Sequence, residues 1–301
     1  KGGKIKNPKL PFNFRSEEGA RIIAGILGDG GMSNIKTNAY YTNTNEELTK
    51  GFLKDVTHVL GEVDFNSAEY KRKNSVLTIL TFPPIMHKIL LNLGLKPGKK
   101  VESNQGVPKF LFKLDEKVKY AFISQFLDDE GSVNIQTRHV SFTTACLEKY
   151  KESTILQDIK KLLLSFDIMC SIYREKPYHS SRGENRRIWR LQIDGQIQLR
   201  KLNENLTIRS SKKKNKLNEI LNSFKLLTFR KRDILETYTN LMRDIEQHKG
   251  YFTSKDLAEE ANRSVGTCRN TILRFEKLKL IKCIKPYSSG NYHEFGRYVV
   301  I

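Results

Sequence analysis

Hydrophobic and polar positions along the chain alternate between a helical period near 3.6 and a strand period near 2, and the same order runs twice. Ser16 can cap a helix whose first turn carries Glu17 and Glu18, the charge favoured at the positive end of a helix dipole. Apolar residues run densely from Ile22 to Leu27, and Gly30-Gly31 reads as the stop. Strand-like sequence follows from Met32 to about Thr44. The spacing then predicts an amphipathic helix over Glu46–Leu60, with Leu48, Phe52, Val56 and Val59 on one face and Gly61 at its end. Val76–Phe82 reads as a strand, and Pro83-Pro84 opens a helix through Leu93, closed by Gly94.

The second half repeats this order. Asp115 can cap a helix ending at Glu130-Gly131, strand-like sequence runs to about Thr144, and a helix is expected over Glu148–Phe166. Strands near Met169–Tyr173 and Ile188–Ile193 and a helix over Ile197–Leu202 complete it. The prediction is an α+β fold built from two αββαββα repeats, over residues 12–100 and 113–228, within segments 1–110 and 111–228. Residues 233–301 have another order: helices over Asp233–His248, Thr253–Ala261 and Ser264–Leu278. A hairpin then runs from Ile281-Lys-Cys-Ile-Lys through a turn at Tyr287 to Arg297–Ile301, an order that resembles a winged helix-turn-helix.

Charge changes the picture more than size does. The 301 residues carry 53 Lys+Arg against 33 Asp+Glu, a net +20, which favours a polyanionic partner. Nine of these basic residues fall in 203–232 beside only two acids, whereas 233–301 has eleven against nine. No run of eighteen apolar residues appears and the N-terminus lacks an apolar signal core, so no membrane partner and a cytoplasmic location are expected. The four cysteines are scattered, without a C-x-x-C pair, and read as reduced thiols, neither zinc ligands nor disulfides.

The chemistry concentrates where the two motif helices end. Ile22-Ile-Ala-Gly-Ile-Leu-Gly-Asp29-Gly30 and Ile123-Ser-Gln-Phe-Leu-Asp-Asp-Glu130-Gly131 each close an apolar run with an acid and a glycine. A carboxylate at a helix C-terminus meets the negative end of the dipole, and two such ends side by side are costlier still unless a cation lies between them. Oxygen-only ligands then select Mg²⁺.

This pair of motifs resembles the LAGLIDADG homing endonuclease family in its single-chain, two-motif form, over roughly residues 12–228. Thr207-Ile-Arg-Ser-Ser-Lys-Lys-Lys214, leading into Leu217, resembles the family's basic loop before its last helix. The resemblance implies that the motif helices pack at a pseudo-twofold axis. Asp29 and Glu130 would then hold divalent cations at the scissile phosphates, with backbone carbonyls of Gly28 and Asp129 as further ligands. Mn²⁺ is a plausible substitute, and Ca²⁺ a cation that binds without supporting cleavage. Lys212, Lys213 and Lys100 are the candidate phosphate-stabilising lysines. Ala24 and Gly28 suit a close helix crossing. Gln125 and Asp129 depart from the small residues usual there, and the first motif's glycine is displaced by one, to Gly25. Asp128 reads as a helix-terminal structural acid.

The expected partner is double-stranded DNA with a long asymmetric site, bound by a monomer, with intron RNA as a further partner of a maturase. DNA reading falls to polar strand or loop positions: Asn34, Lys36, Asn38, Tyr40, Asn43, Lys71, Lys73, Asn134, Gln136, Arg138, Arg174, Arg187 and Gln192, with Arg209 in the basic loop. In the last segment, Thr267, Arg269, Asn270 and Arg274 are candidate contacts of a recognition helix. A non-catalytic regulator on the same scaffold is the main alternative, although it has no need of acids at 29 and 130. An intein is not expected, because Lys1 and Tyr298–Ile301 lack the residues that splicing uses.

Overall fold

A computed structural model describes residues 5–72, 75–181, 183–224, 231–263, 265–286 and 295–301. It divides into two compact units, Lys1–Ile220 and Leu221–Ile301. The first is α+β. In order it contains β1 (Ile5–Lys6), α1 (Glu17–Leu27), β2 (Gly30–Met32), β3 (Ala39–Asn43), α2 (Glu46–Leu60), β4 (Glu62–Val63), β5 (Asn66–Arg72), β6 (Ser75–Phe82), α3 (Pro84–Asn92) and α4 (Lys100–Ser103). After a 3₁₀ turn over Lys109–Lys113 come α5 (Glu116–Glu130), β7 (Gly131–Asn134), β8 (His139–Leu147), α6 (Thr154–Leu164), β9 (Ser171–His179), β10 (Asn185–Asp194), α7 (Gln196–Asn205) and α8 (Ser211–Asn222).

Two four-stranded antiparallel sheets result, ordered β2-β3-β6-β5 and β7-β8-β10-β9. Relative to chain order the two arrangements are the same. Helices α1 and α5 pack against each other along their lengths. Both are buried around most of their circumference, as a helix between two layers must be: Ala20, Ile22, Ile23 and Ala24 in α1, and Phe122, Ile123, Phe126 and Leu127 in α5.

Local chemistry explains most element ends. The Gly19 amide donates to the Ser16 hydroxyl (3.2 Å), as the sequence predicts. Helix α2 has the predicted limits, starting after an Asn45 side-chain cap and ending at Gly61, whose φ of 92° favours glycine. Asp115, by contrast, makes no side-chain capping bond. Helix α6 starts six residues later than expected, because β8 runs on to Leu147 and the Glu148 amide still donates to Asn185 O (3.0 Å). Helix α1 stops at Leu27, not at the glycine pair. Gly30 and Gly31 belong to a strand, and a Cβ at Gly30 would lie 2.6 Å from Tyr40 O and 2.8 Å from Ile26 Cα. That glycine therefore lets β2 lie against the helix it follows.

The second unit consists of α9 (Lys231–Lys249), α10 (Ser254–Ala261), α11 (Val265–Lys277), β11 (Ile281–Lys285) and β12 (Arg297–Val300). Thr253 and Asp256 close a capping box at the start of α10. Met242, Phe252, Leu257, Cys268, Ile272 and Phe275 form its core. An isolated bridge joins Phe252 to Tyr298 of the hairpin. Ser264 and the Tyr287 turn lie outside the described residues.

The Gly30 contacts generate a prediction. Gly30→Ala is expected to destabilise the fold by about 1–3 kcal/mol, since the atoms it would meet are backbone and cannot swing away. Urea denaturation checks this, and a midpoint equal to wild type contradicts it.

Candidate functional site

The site forms where α1 and α5 end together. Asp29 follows α1 and Glu130 is the last residue of α5. Their carboxylates interact: burial, and next the Glu130 charge, raise the Asp29 pKa to about 6 against the pull of Lys100 and Lys213. Burial likewise raises Glu130, opposed by the same two lysines.

Each motif helix ends on a lysine ammonium. Lys100, at the start of α4, donates from Nζ to Gly28 O. Lys213, in the first turn of α8, donates to Leu127 O (2.8 Å) and Asp128 O (2.6 Å). A cation on the last carbonyls of a helix is favourable for the dipole, and here it also lies near the acids. Burial lowers both lysine pKa values, and the surrounding carboxylates oppose that fall. Lys212, the other candidate in that loop, is exposed.

The departures from the small-residue pattern have a structural account. Gly28 receives Asp129, whose Cβ lies 2.7 Å from where a Gly28 Cβ would stand. Gly25 faces its own repeat instead: a Cβ there would lie 2.5 Å from the Phe52 ring, which is stacked on Tyr41 with centroids 4.1 Å apart. Asp129 and Gln125 belong to one buried network. The Tyr41 hydroxyl donates to Asp129 Oδ1 (2.7 Å), and Gln125 Nε2 donates to both Asp129 oxygens (3.1 and 3.2 Å). Asn43 Nδ2 donates to Asp29 Oδ2 (2.8 Å) and to the Tyr41 hydroxyl (3.3 Å). The Thr42 hydroxyl donates to Asp29 O (2.7 Å). Burial, and next the Asp29 charge, push the Asp129 pKa well above the carboxylate range.

On the far side of Gln125, Arg209 Nη1 reaches Gln125 Oε1 (3.4 Å) and the guanidinium grips Asp55 of α2 with two bonds of 2.7 Å. Asp128 accepts from the amides of Arg209 (2.8 Å) and Ser210 (3.1 Å), holding the strand of chain that leads into α8. It is a structural acid, as the sequence reading has it.

The residues expected to contact DNA take the following places in the structure. Arg209 is an internal clamp, because Asp55 is 3% exposed and requires a cation. Asn43 is buried against Asp29. Arg187 is half-buried, paired with Glu148 (3.2 Å) and donating to Glu175 O (3.0 Å). Asn134 closes a turn by accepting from the Thr137 amide, Gln192 donates to Asp194, and Arg174 lies over the Trp189 ring. Arg138 sits in a turn at φ 52°. Asn34, Lys36, Lys71 and Gln136 are exposed, Asn38 and Tyr40 are half-buried, and Lys73 lies outside the described residues. In the second unit Thr267, Arg269, Asn270 and Arg274 are exposed on α11.

Sequence reading missed Tyr41 and Asp55 as members of the site. Asp55 carried a signal: it falls in the apolar stripe of α2, between Phe52 and Val56, and a charge there needs a buried partner.

Residues 117–207, from α5 through α7, match the family model described as a LAGLIDADG-like domain. Similar proteins include the ribonucleoside-diphosphate reductase NrdEB subunit alpha of Bacillus subtilis, 25% identical over 57% of this chain and 15% of that protein. A tRNA-splicing ligase of Pyrococcus abyssi is 22% identical over 93% of this chain and 31% of its own length. A probable translation initiation factor of Methanocaldococcus jannaschii is 22% identical over 71% and 17%. The chain thus spans between 15% and 31% of the length of these relatives. The LAGLIDADG-like match covers Glu130, Asp128, Asp129 and Gln125, while Asp29, Lys100 and Lys213 lie outside it. Among the described residues no helix is long and apolar enough to cross a membrane.

The clamp generates a prediction. Arg209→Met leaves Asp55 buried without its cation and is expected to cost about 3 kcal/mol, the low end for breaking a buried pair. Adding Asp55→Leu is expected to recover most of that loss. Denaturation of Arg209→Met, Asp55→Leu and the double variant checks it, and additive losses contradict it.

Proposed function

We propose that this chain is a site-specific double-strand DNA endonuclease of the homing type, acting as a monomer with divalent cations at Asp29 and Glu130. The observation that carries the reading is two coupled, part-buried carboxylates at neighbouring helix ends with a lysine directed to each end. The second unit, a three-helix and hairpin arrangement, is read as a winged-helix-like DNA-binding module. Asn34, Lys36 and Lys71 on the first sheet and Gln136 on the second remain the base- and phosphate-contact candidates, within a strongly basic chain.

The donor set fits an oxygen-seeking cation. Asp29 and Glu130 offer carboxylate oxygens, and no soft sulfur or imidazole ligand stands with them. Among the described residues no three His, Cys, Asp or Glu side chains are grouped to hold a metal ion, so the side-chain ligands of the proposed cation would be these two carboxylates alone. Mg²⁺, or Mn²⁺ in its place, would be held by Asp29 and Glu130 and would supply an activated water and charge neutralisation at the leaving oxygen. The protein's own part is to keep both acids deprotonated, and Lys100 and Lys213 favour that form. The same ammonium groups sit where negative charge on a phosphate would gather.

The relatives support a module reading. A reductase subunit, a tRNA-splicing ligase and an initiation factor share no chemistry in their names, yet each matches this chain over a minor part of its length. A separate element carried within different hosts accounts for that pattern, as a homing endonuclease would. The exposed basic face of α11 also favours a second reading, a DNA-binding regulator without catalysis.

Incubation with Mg²⁺ and DNA from the element's own insertion site separates the two. Wild type is expected to linearise the DNA, while Asp29→Asn and Glu130→Gln bind it with cleavage reduced to background. Metal-independent binding without cleavage by wild type supports the regulator, and cleavage surviving both substitutions refutes the site.

A further inference from the structure

The two acids are held differently, and strand register shows why. Gly30 pairs with Tyr41 in the first sheet, and Gly131 pairs with Phe142 in the second. Phe142 is therefore the counterpart of Tyr41, and Thr144 that of Asn43. Phe142 has no hydroxyl, and Thr144 shares its hydrogen bond with the Ser153 hydroxyl (2.8 Å) instead of the acid. No hydrogen-bond donor among the described residues reaches the Glu130 carboxylate, which faces it with only the charges of Lys100 and Lys213. Glu130 also borders a cavity of about 360 Å³ shared with Thr143, Thr144 and Ser153, and its side chain has one more rotatable bond than Asp29. Asp29 is fixed by Asn43 at the carboxylate and by Thr42 at the carbonyl. Behind Asn43, Tyr41 leads through Asp129 and Gln125 to Arg209, whose amide and that of Ser210 are held by Asp128 ahead of Lys213.

We propose that the two carboxylates form unequal cation sites: Asn43 and Tyr41 are positioning residues that prepare Asp29 to bind first, and the Glu130 site fills second. This rests on the endonuclease reading for its biological meaning, but on geometry for its order. A ligand carboxylate already oriented by a hydrogen-bond donor gives up less rotamer freedom on binding, and losing such an outer partner typically costs about 10–100-fold in metal affinity.

Calorimetric titration of the full chain with Mn²⁺, without DNA, reads the order directly. Wild type is expected to show two steps differing at least about tenfold in affinity. Asp29→Asn should abolish the tighter step and Glu130→Gln the weaker. Asn43→Ala should weaken the tighter step about tenfold and leave the weaker unchanged. Tyr41→Phe, which keeps the ring on Phe52, should weaken it less, and Thr144→Ala should change neither step. A purely structural role for Asn43 would lower the melting temperature without changing the ratio of the steps. Two equal steps in wild type, loss of the tighter step in Glu130→Gln, or equal weakening of both steps in Asn43→Ala overturns the proposal. Absence of Mn²⁺ binding overturns it together with the metal-site reading. Unequal binding without DNA cleavage keeps the order and removes the endonuclease.

Discussion

Two part-buried carboxylates at the ends of two packed helices are the constraint that organises this molecule. Each acid meets the negative end of a helix dipole, each is desolvated, and the Glu130 charge bears on Asp29. An arrangement with this much unfavourable charge persists only when surrounding groups compensate it. Lys100 and Lys213 do so from segments far apart in the sequence, each by placing an ammonium on the carbonyls that end a motif helix. The compensation is incomplete, since the Asp29 pKa still stands near 6. The divalent cation proposed above would complete it, and its binding would then add to the stability of the fold.

The helix interface that carries these acids is polar at its centre as well as close-packed. Asp129 rests on Gly28 and is held by Tyr41 and Gln125, and Arg209 ties Gln125 to Asp55. Buried networks of this kind are favourable only when every member finds partners, and they fix one arrangement among those an apolar interface would permit. Here the fixed arrangement links β3 and α2 of the first repeat to α5 and the basic loop of the second. It also makes the interface asymmetric. A symmetric dimer could not build this arrangement from one sequence.

Much of this was legible in the sequence because it depends on periodicity. The apolar stripe of α2 set both of its ends, and the duplicated order of elements foretold the α+β class. Strand β5 was not foreseen: Asn66–Lys71 lies exposed and shows no buried alternate positions. The two acids were legible because carboxylates at helix C-termini have few physical explanations, whereas the lysines were suggested only by the resemblance of their loops to the family's. The network behind them was not, since a clamped arginine and a surface arginine look alike until a partner is found. Asp55 in an apolar stripe was the one local sign that Arg209 points inward.

Linkage provides the most direct test. Because the folded chain holds the Asp29 proton more tightly than the unfolded chain, whose carboxyl titrates near the usual 4, stability without a cation falls as pH rises from about 4 through about 6. Melting wild type and Asp29→Asn at pH 8, with and without Mg²⁺, isolates this charge. The account predicts that the variant melts higher than wild type without Mg²⁺, and that Mg²⁺ raises wild type well above any change in the variant. A variant that melts lower, with both proteins responding alike to Mg²⁺, would contradict it.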